Sequence, residues 1–145
     1  MKRLNRFLIT MAAVGALLAT ALPAQAQAPA PKPDLVVDGI TLNPSGNIVV
    51  EIRNAGPGPM PESAWKSTES YAACFVIMIG VQFVDYATLW AADPDRALRN
   101  PGGKVTYTSP IRITEPTAVR VWLDITEQVD EANEANNIKQ VLLKP

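Results

Sequence analysis

An all-β sandwich of about seven antiparallel strands, preceded by an export signal, is the fold class that this sequence predicts. Three observations lead to it. Several short segments alternate apolar and polar residues with a period of two, Pro, Gly and Asn punctuate them, and almost nothing beyond the N-terminus carries a helical period.

The first segment has the build of a secretory signal: Lys2, Arg3 and Arg6, then the apolar run Phe7 to Leu22, then the small-x-small site Ala24-Gln25-Ala26. Cleavage is expected after Ala26, since a cut after Ala28 would put Pro29 at the new terminus. The apolar run is shorter than the roughly 20 residues of a spanning helix. The predicted organisation is a signal peptide at 1–26, a Pro/Ala-rich tether at 27–33, extended and unpaired, and one domain at 34–145. Loss of the signal leaves ten basic against fourteen acidic residues, a net charge of −4. No basic surface remains for a nucleic acid or an anionic membrane, and no membrane anchor is expected after cleavage.

The strands follow in order. "DLVVDGITL" (34–42) is the first, with a bulge expected at Asp38-Gly39. "NIVVEIRN" (47–54) turns Ile48, Val50 and Ile52 to one side. "AGPGPMPES" (55–63) holds too much Pro and Gly for anything but a surface loop. "AACFVIMIGVQFV" (72–84) reads as one long central strand, with Phe75, Ile77, Ile79, Val81 and Phe83 on one face and Cys74, Val76 and Met78 on the other. "DPDRALRN" predicts a helical turn capped by Asp93 with Pro94 at its first position. "GGKVTYTSPIRI" resumes strand character, with Pro110 marking an edge or bulge. "TAVRVWLDI" places Val119, Val121 and Leu123 opposite Arg120 and Trp122, and "NIKQVLL" closes the chain.

Between the last two strands lies "DITEQVDEANEANN", Asp124 to Asn137. Asn and Asp side chains mimic backbone turns, so Asn133, Asn136 and Asn137 would hold the loop through its own backbone, with Val129 pinning it to the core. The competing reading is calcium, with Asp124, Asp130, Glu131 and Glu134 as carboxylate ligands, although the EF-hand pattern is absent.

"PDLVVDGITL", "V-x-I-x-N-x-G" (50–56), "PGGKVTY" and above all Glu131, Asn133, Glu134, Asn136 and Asn137 of the closing E-x-N-E-x-N-N resemble the CARDB domain, the cell-adhesion-related domain found in bacteria. The resemblance spans about Pro33 to Leu143. It implies an immunoglobulin-like sandwich, with the acidic loop before the last strand. The chain departs from it in a long, aromatic middle, Ser63 to Asn100, and in "EPTAVRV" where a Gly-x-Tyr entry is expected.

The chain has no histidine and one cysteine, Cys74. That removes every Ser-His or Cys-His arrangement and any internal disulfide, and the polar loop offers no cleft to raise a carboxyl pKa. No enzyme is predicted, and no cofactor beyond the calcium alternative. If the strands at 72–84 and 117–125 are neighbours, Val76 and Met78 lie beside Arg120 and Trp122. With Trp90 and Tyr86 on an adjoining loop they form a candidate partner-binding patch, unless Trp65, Tyr71, Tyr86 and Trp90 fold over it. The expected function is an exported, periplasmic or extracellular, adhesion-type module for a protein or cell-surface carbohydrate partner. The alternatives are a periplasmic accessory or chaperone-like subunit that pairs a sheet edge with a partner, and calcium-dependent binding.

Overall fold

Alternation in Asn47–Asn54 buries Ile48, Val50 and Ile52 completely, and the same alternation in Thr117–Leu123 buries Val119, Val121 and Leu123. These two inner faces meet in a computed structural model that describes residues 28–66 and 72–145; the expected signal peptide and Tyr71 lie outside the described residues. Seven strands are described: β1 Leu35–Leu42, β2 Asn47–Asn54, β3 Cys74–Ile79, β4 Gln82–Thr88, β5 Lys104–Arg112, β6 Thr117–Leu123 and β7 Ile138–Leu143. They form two antiparallel sheets, β1-β2-β5 and β4-β3-β6-β7, packed face to face as an immunoglobulin-like sandwich. Phe75 and Ile77 of β3 complete the centre, with the Phe75 ring edge-on to Tyr107 at 5.2 Å.

The bulge expected in the first strand is present, as a register shift between Val37 and Gly39. Pro110 sits in β5, an edge strand, beside a second shift opposite Asn47 and Val49. A proline donates no ladder hydrogen bond, and both the edge and the shift accommodate it.

The long central strand is a correction. Residues 72–84 are not one strand: Gly80 and Val81 form a two-residue hairpin turn, with Ile79 paired to Gln82 and Gly80 at φ 62°. Glycine tolerates that conformation where a β-branched residue would not. The chain reverses there, so Val81 is 90% exposed at the tip and Phe83 points outward opposite Met78. Neither joins the core face predicted for it. Tyr86, expected on a loop, lies within β4, and Trp65 is buried in the core rather than laid over the sheet.

The turn predicted to start at Pro94 is a correction: its N-cap position is Arg96, not Asp93, and Asp93 reaches forward to it from three residues earlier. Its carboxylate accepts from Ala97 N (2.7 Å) and Leu98 N (3.0 Å), so the short 3-10 turn is Ala97–Arg99 and Pro94 stands before it. The single-turn helix α1, Leu89–Ala92, precedes Asp93 and is capped by Thr88.

The tether also differs from expectation at its end. Lys32 O accepts from Gly58 N at 2.9 Å and Pro33 O accepts from Ala132 N at 2.8 Å, so the chain is fastened before β1 begins. The backbones approach so closely that a Cβ on Gly58 would lie 2.0 Å from Pro31 O, and one on Gly56 2.5 Å from Asp34 N. The glycines of "AGPGP" are therefore the seat of the incoming N-terminal segment.

Candidate functional site

Two regions gather the residues singled out by sequence: the acidic loop between β6 and β7, and the outer face of the four-stranded sheet.

The loop is held through its own side chains. Asp124, at φ 41°, accepts from Val129 N at 2.7 Å, and Val129 is buried in the core. Glu134 accepts from Glu131 N (3.0 Å) and Asn133 from Ala135 N (3.1 Å), building the 3-10 turn Glu134–Asn136. The loop then reaches across to β1. Glu131 accepts the N–H of Leu35 on one oxygen and the Asn137 amide on the other at 3.0 Å. Asn136 donates to the Asp34 carboxylate at 3.0 Å, and Lys32 pairs with Asp130 at 2.6 Å in solvent. The stretch is thus a clasp that ties the last hairpin to the start of the first strand, a long-range role that no turn motif reveals.

The expectation that this polar loop would not raise a carboxyl pKa is corrected, because the clasp buries Glu131 and Asp124. Burial pushes the Glu131 carboxyl up to about 7, against the Leu35 N–H and Asn137 amide, which favour its charged form, and the Glu134 and Asp124 carboxylates push in the same direction as burial. Burial also raises Asp124. Among the described residues no three His, Cys, Asp or Glu side chains come together closely enough to share a metal ion.

The sheet face is set by register. Tyr86 of β4 pairs with Val76 of β3, Val76 with Trp122 of β6, and Trp122 with Ile138 of β7, so one row crosses all four strands. The next row runs Phe83, Met78, Arg120, Gln140. Alternation points both rows away from the core. Val76 is covered by its neighbours, while Tyr86 is 69%, Phe83 63%, Ile138 49% and Trp122 37% exposed. Arg120 donates from both Nε and Nη2 to Gln140 Oε1, at 3.0 and 2.8 Å.

The structure therefore brings together Trp122, Arg120, Val76, Met78 and Tyr86. Trp90, half-exposed, lies on α1 beyond the end of β4 and belongs to neither row. Phe83 and Ile138 are face residues that the sequence reading left out. The hairpin at Gly80 puts Phe83 on the side opposite to the one that an uninterrupted strand predicts, and Ile138 follows from the alternation of β7. Cys74 lies at the end of β3, partly buried, its thiol pushed up by burial.

No protein-family model matches the sequence, and no curated protein does. Among solved structures, the chain is similar to the crystal structure of the CARDB domain of a Pyrococcus furiosus protein, determined in complex with di-metal ions. The TM-score is 0.50, and the match covers 78% of this chain and 93% of that one. The fold is that of a CARDB domain. At 17% identity the likeness concerns the fold alone. In this CARDB-like sandwich the E-x-N-E-x-N-N stretch stands before the last strand, where the sequence resemblance places it.

Proposed function

We propose that this protein is an exported, non-catalytic binding module of adhesion type, and that it engages its partner through the outer face of the β4-β3-β6-β7 sheet. The observation that carries this reading is the row Tyr86, Val76, Trp122, Ile138, in which Tyr86, Trp122 and Ile138 expose large apolar side chains on three of the four strands while Val76 is covered between them. Trp, Tyr and Arg are the residue types enriched where binding energy concentrates. Export is supported by the charged, apolar and small-residue order of the first 26 residues. A non-catalytic role is supported by the lack of histidine and by a Cys74 held as the thiol.

We infer that the acidic loop serves as a clasp rather than as a cation site, although the Pyrococcus furiosus domain was determined with di-metal ions. Asp124, Glu131 and Glu134 already accept hydrogen bonds from backbone N–H groups, and Asp130 is paired with Lys32. Among the described residues the buried side-chain oxygens without a donor are those of the Asn136 and Asn137 amides, which carry no charge of their own. The clasp reading accounts for the loop.

Pairing through a sheet edge is less favoured. Asp85 of β4 accepts from Tyr107 Oη (3.0 Å) and Ser109 Oγ (2.5 Å) of β5, and Lys139 of β7 donates to Asp38 O of β1, so side chains bridge the two sheets at each open side.

The test is retention of a cell-envelope fraction by immobilised protein. Trp122→Ala is expected to lower capture at least about tenfold, as for an interface anchor. Thr106→Ala, on the exposed side of β5, is expected to leave it unchanged. Undiminished capture by a folded Trp122→Ala protein would refute the assignment.

A further inference from the structure

The geometry points to a partner class: we propose that the face binds an acidic polysaccharide, with pyranose rings on Tyr86 and Trp122 and a sugar carboxylate on Arg120. This rests on the outer sheet face being the binding surface.

Three features of the face select that chemistry. Tyr86 and Trp122 share a register row with only Val76 between them, so their strands lie about 10 Å apart, two interstrand spacings, which is about the length of a disaccharide. Both rings stand on a sheet face rather than in a pocket, and neither lines the two grooves that share Arg112, Ile113 and Thr114. An open aromatic platform suits the C–H faces of a sugar chain, which lie flat on exposed rings.

The third feature is charge. Arg120 is the one charged side chain in the two rows. Its guanidinium is oriented by two hydrogen bonds to the neutral Gln140 amide, and no carboxylate pairs with it among the described residues. A fixed, uncompensated guanidinium beside stacking surfaces is complementary to a carboxylate, which it can grip through its remaining N–H donors. The same residue disfavours the other occupants. A two-fold contact between copies centred on this face would bring two Arg120 side chains together. An anionic membrane calls for a cluster of basic residues, whereas these two rows carry a single Arg, enough for one sugar carboxylate.

The test is titration of the purified protein with oligogalacturonate, its methyl ester and polyglutamate, read by calorimetry and tryptophan fluorescence. Short oligomers avoid gains from multivalency. Oligogalacturonate is expected to bind, and the ester to bind about tenfold more weakly. Tyr86→Ala should weaken the acid about tenfold, and Arg120→Gln should bring acid and ester to the same affinity. Both positions are exposed, so melting should be unchanged in these variants, and Arg112→Gln, off the face, should bind as the parent does. Absence of oligogalacturonate binding would overturn the inference. So would equal binding of polyglutamate, which would mark an acidic peptide, or an equal loss with Arg112→Gln. If oligogalacturonate fails while Trp122→Ala still abolishes envelope capture, the acidic-sugar class falls and the binding face stands.

Discussion

Replacing Asn54 by Ala is expected to destabilise the protein by about 3–5 kcal/mol, because a single buried side chain there satisfies four backbone groups. Its Oδ1 accepts from Asp34 N and Gly56 N, both at 3.1 Å; its Nδ2 donates to Gly58 O at 3.0 Å and Leu98 O at 3.3 Å. The residue is fully buried, and its own backbone N–H and C=O bond to Gly103 and Gly102. Asn54 thus joins the entry to β1, the Gly-Pro loop and the turn before β5 at one point. All four hydrogen-bonding valences of the amide are used, so Asn54→Asp, of the same shape, is expected to be equally damaging: it would turn a carboxylate oxygen toward two carbonyls. Urea unfolding measures both. A loss below about 1 kcal/mol in each would mean that water replaces the amide without cost.

Stability is expected to rise as pH falls from 8 to 5, and Glu131 is the reason. In the folded chain its pKa is about 7, against an ordinary value of 4.5. Between these values the folded state holds a proton that the unfolded chain has released, so protons favour folding. The gain is fully present below about 4.5 and is lost as pH rises through 7. The window amounts to about 3 kcal/mol, at about 1.4 kcal/mol for each pH unit. Burial acts on Asp124 in the same direction, while Asp38, held low mainly by its hydrogen bond to Arg53, acts only in more acid solution. Glu131→Gln keeps an acceptor for Leu35 N. It also presents an amide to Asn137, whose own oxygen lacks a partner and can accept once the amide turns. That variant is expected to melt higher than the parent at pH 8 and to lose most of the pH dependence. Thermal unfolding at both pH values checks it, and a parent whose midpoint is the same at pH 5 and 8 would contradict the enclosure of this carboxylate.

Period-two alternation carried most of the fold. Where a strand has one wet face, as in 47–54 and 117–123, side-chain order alone predicts both the strand and its buried set. It failed at 72–84, where apolar residues occupy both faces. There the sole local sign of reversal was Gly80, and one glycine inside an apolar run is equally compatible with an uninterrupted strand. The same failure hid Phe83 from the outer sheet face. Trp122, Arg120, Val76 and Met78 were legible as a group because assuming that β3 and β6 are neighbours fixes their side. The clasp was legible only in part. The loop's hydrogen bonds to itself follow from Asn and Asp chemistry, but the reach of Glu131 and Asn136 to residues 34 and 35 spans almost the whole domain and has no local signature. Asn54 belongs to the V-x-I-x-N-x-G motif, but nothing local reveals its role, since its four partners lie in three separate segments.

Hydroxyl-radical footprinting of the protein, free and bound to a cell-envelope fraction, tests the central claim most directly, because it reads aromatic and Met side chains one by one. Protection is expected at Trp122, Tyr86, Phe83 and Met78, with Trp90 on α1 unchanged. Protection of Trp90 or of the 124–137 loop, with Trp122 as reactive as in the free protein, would contradict it.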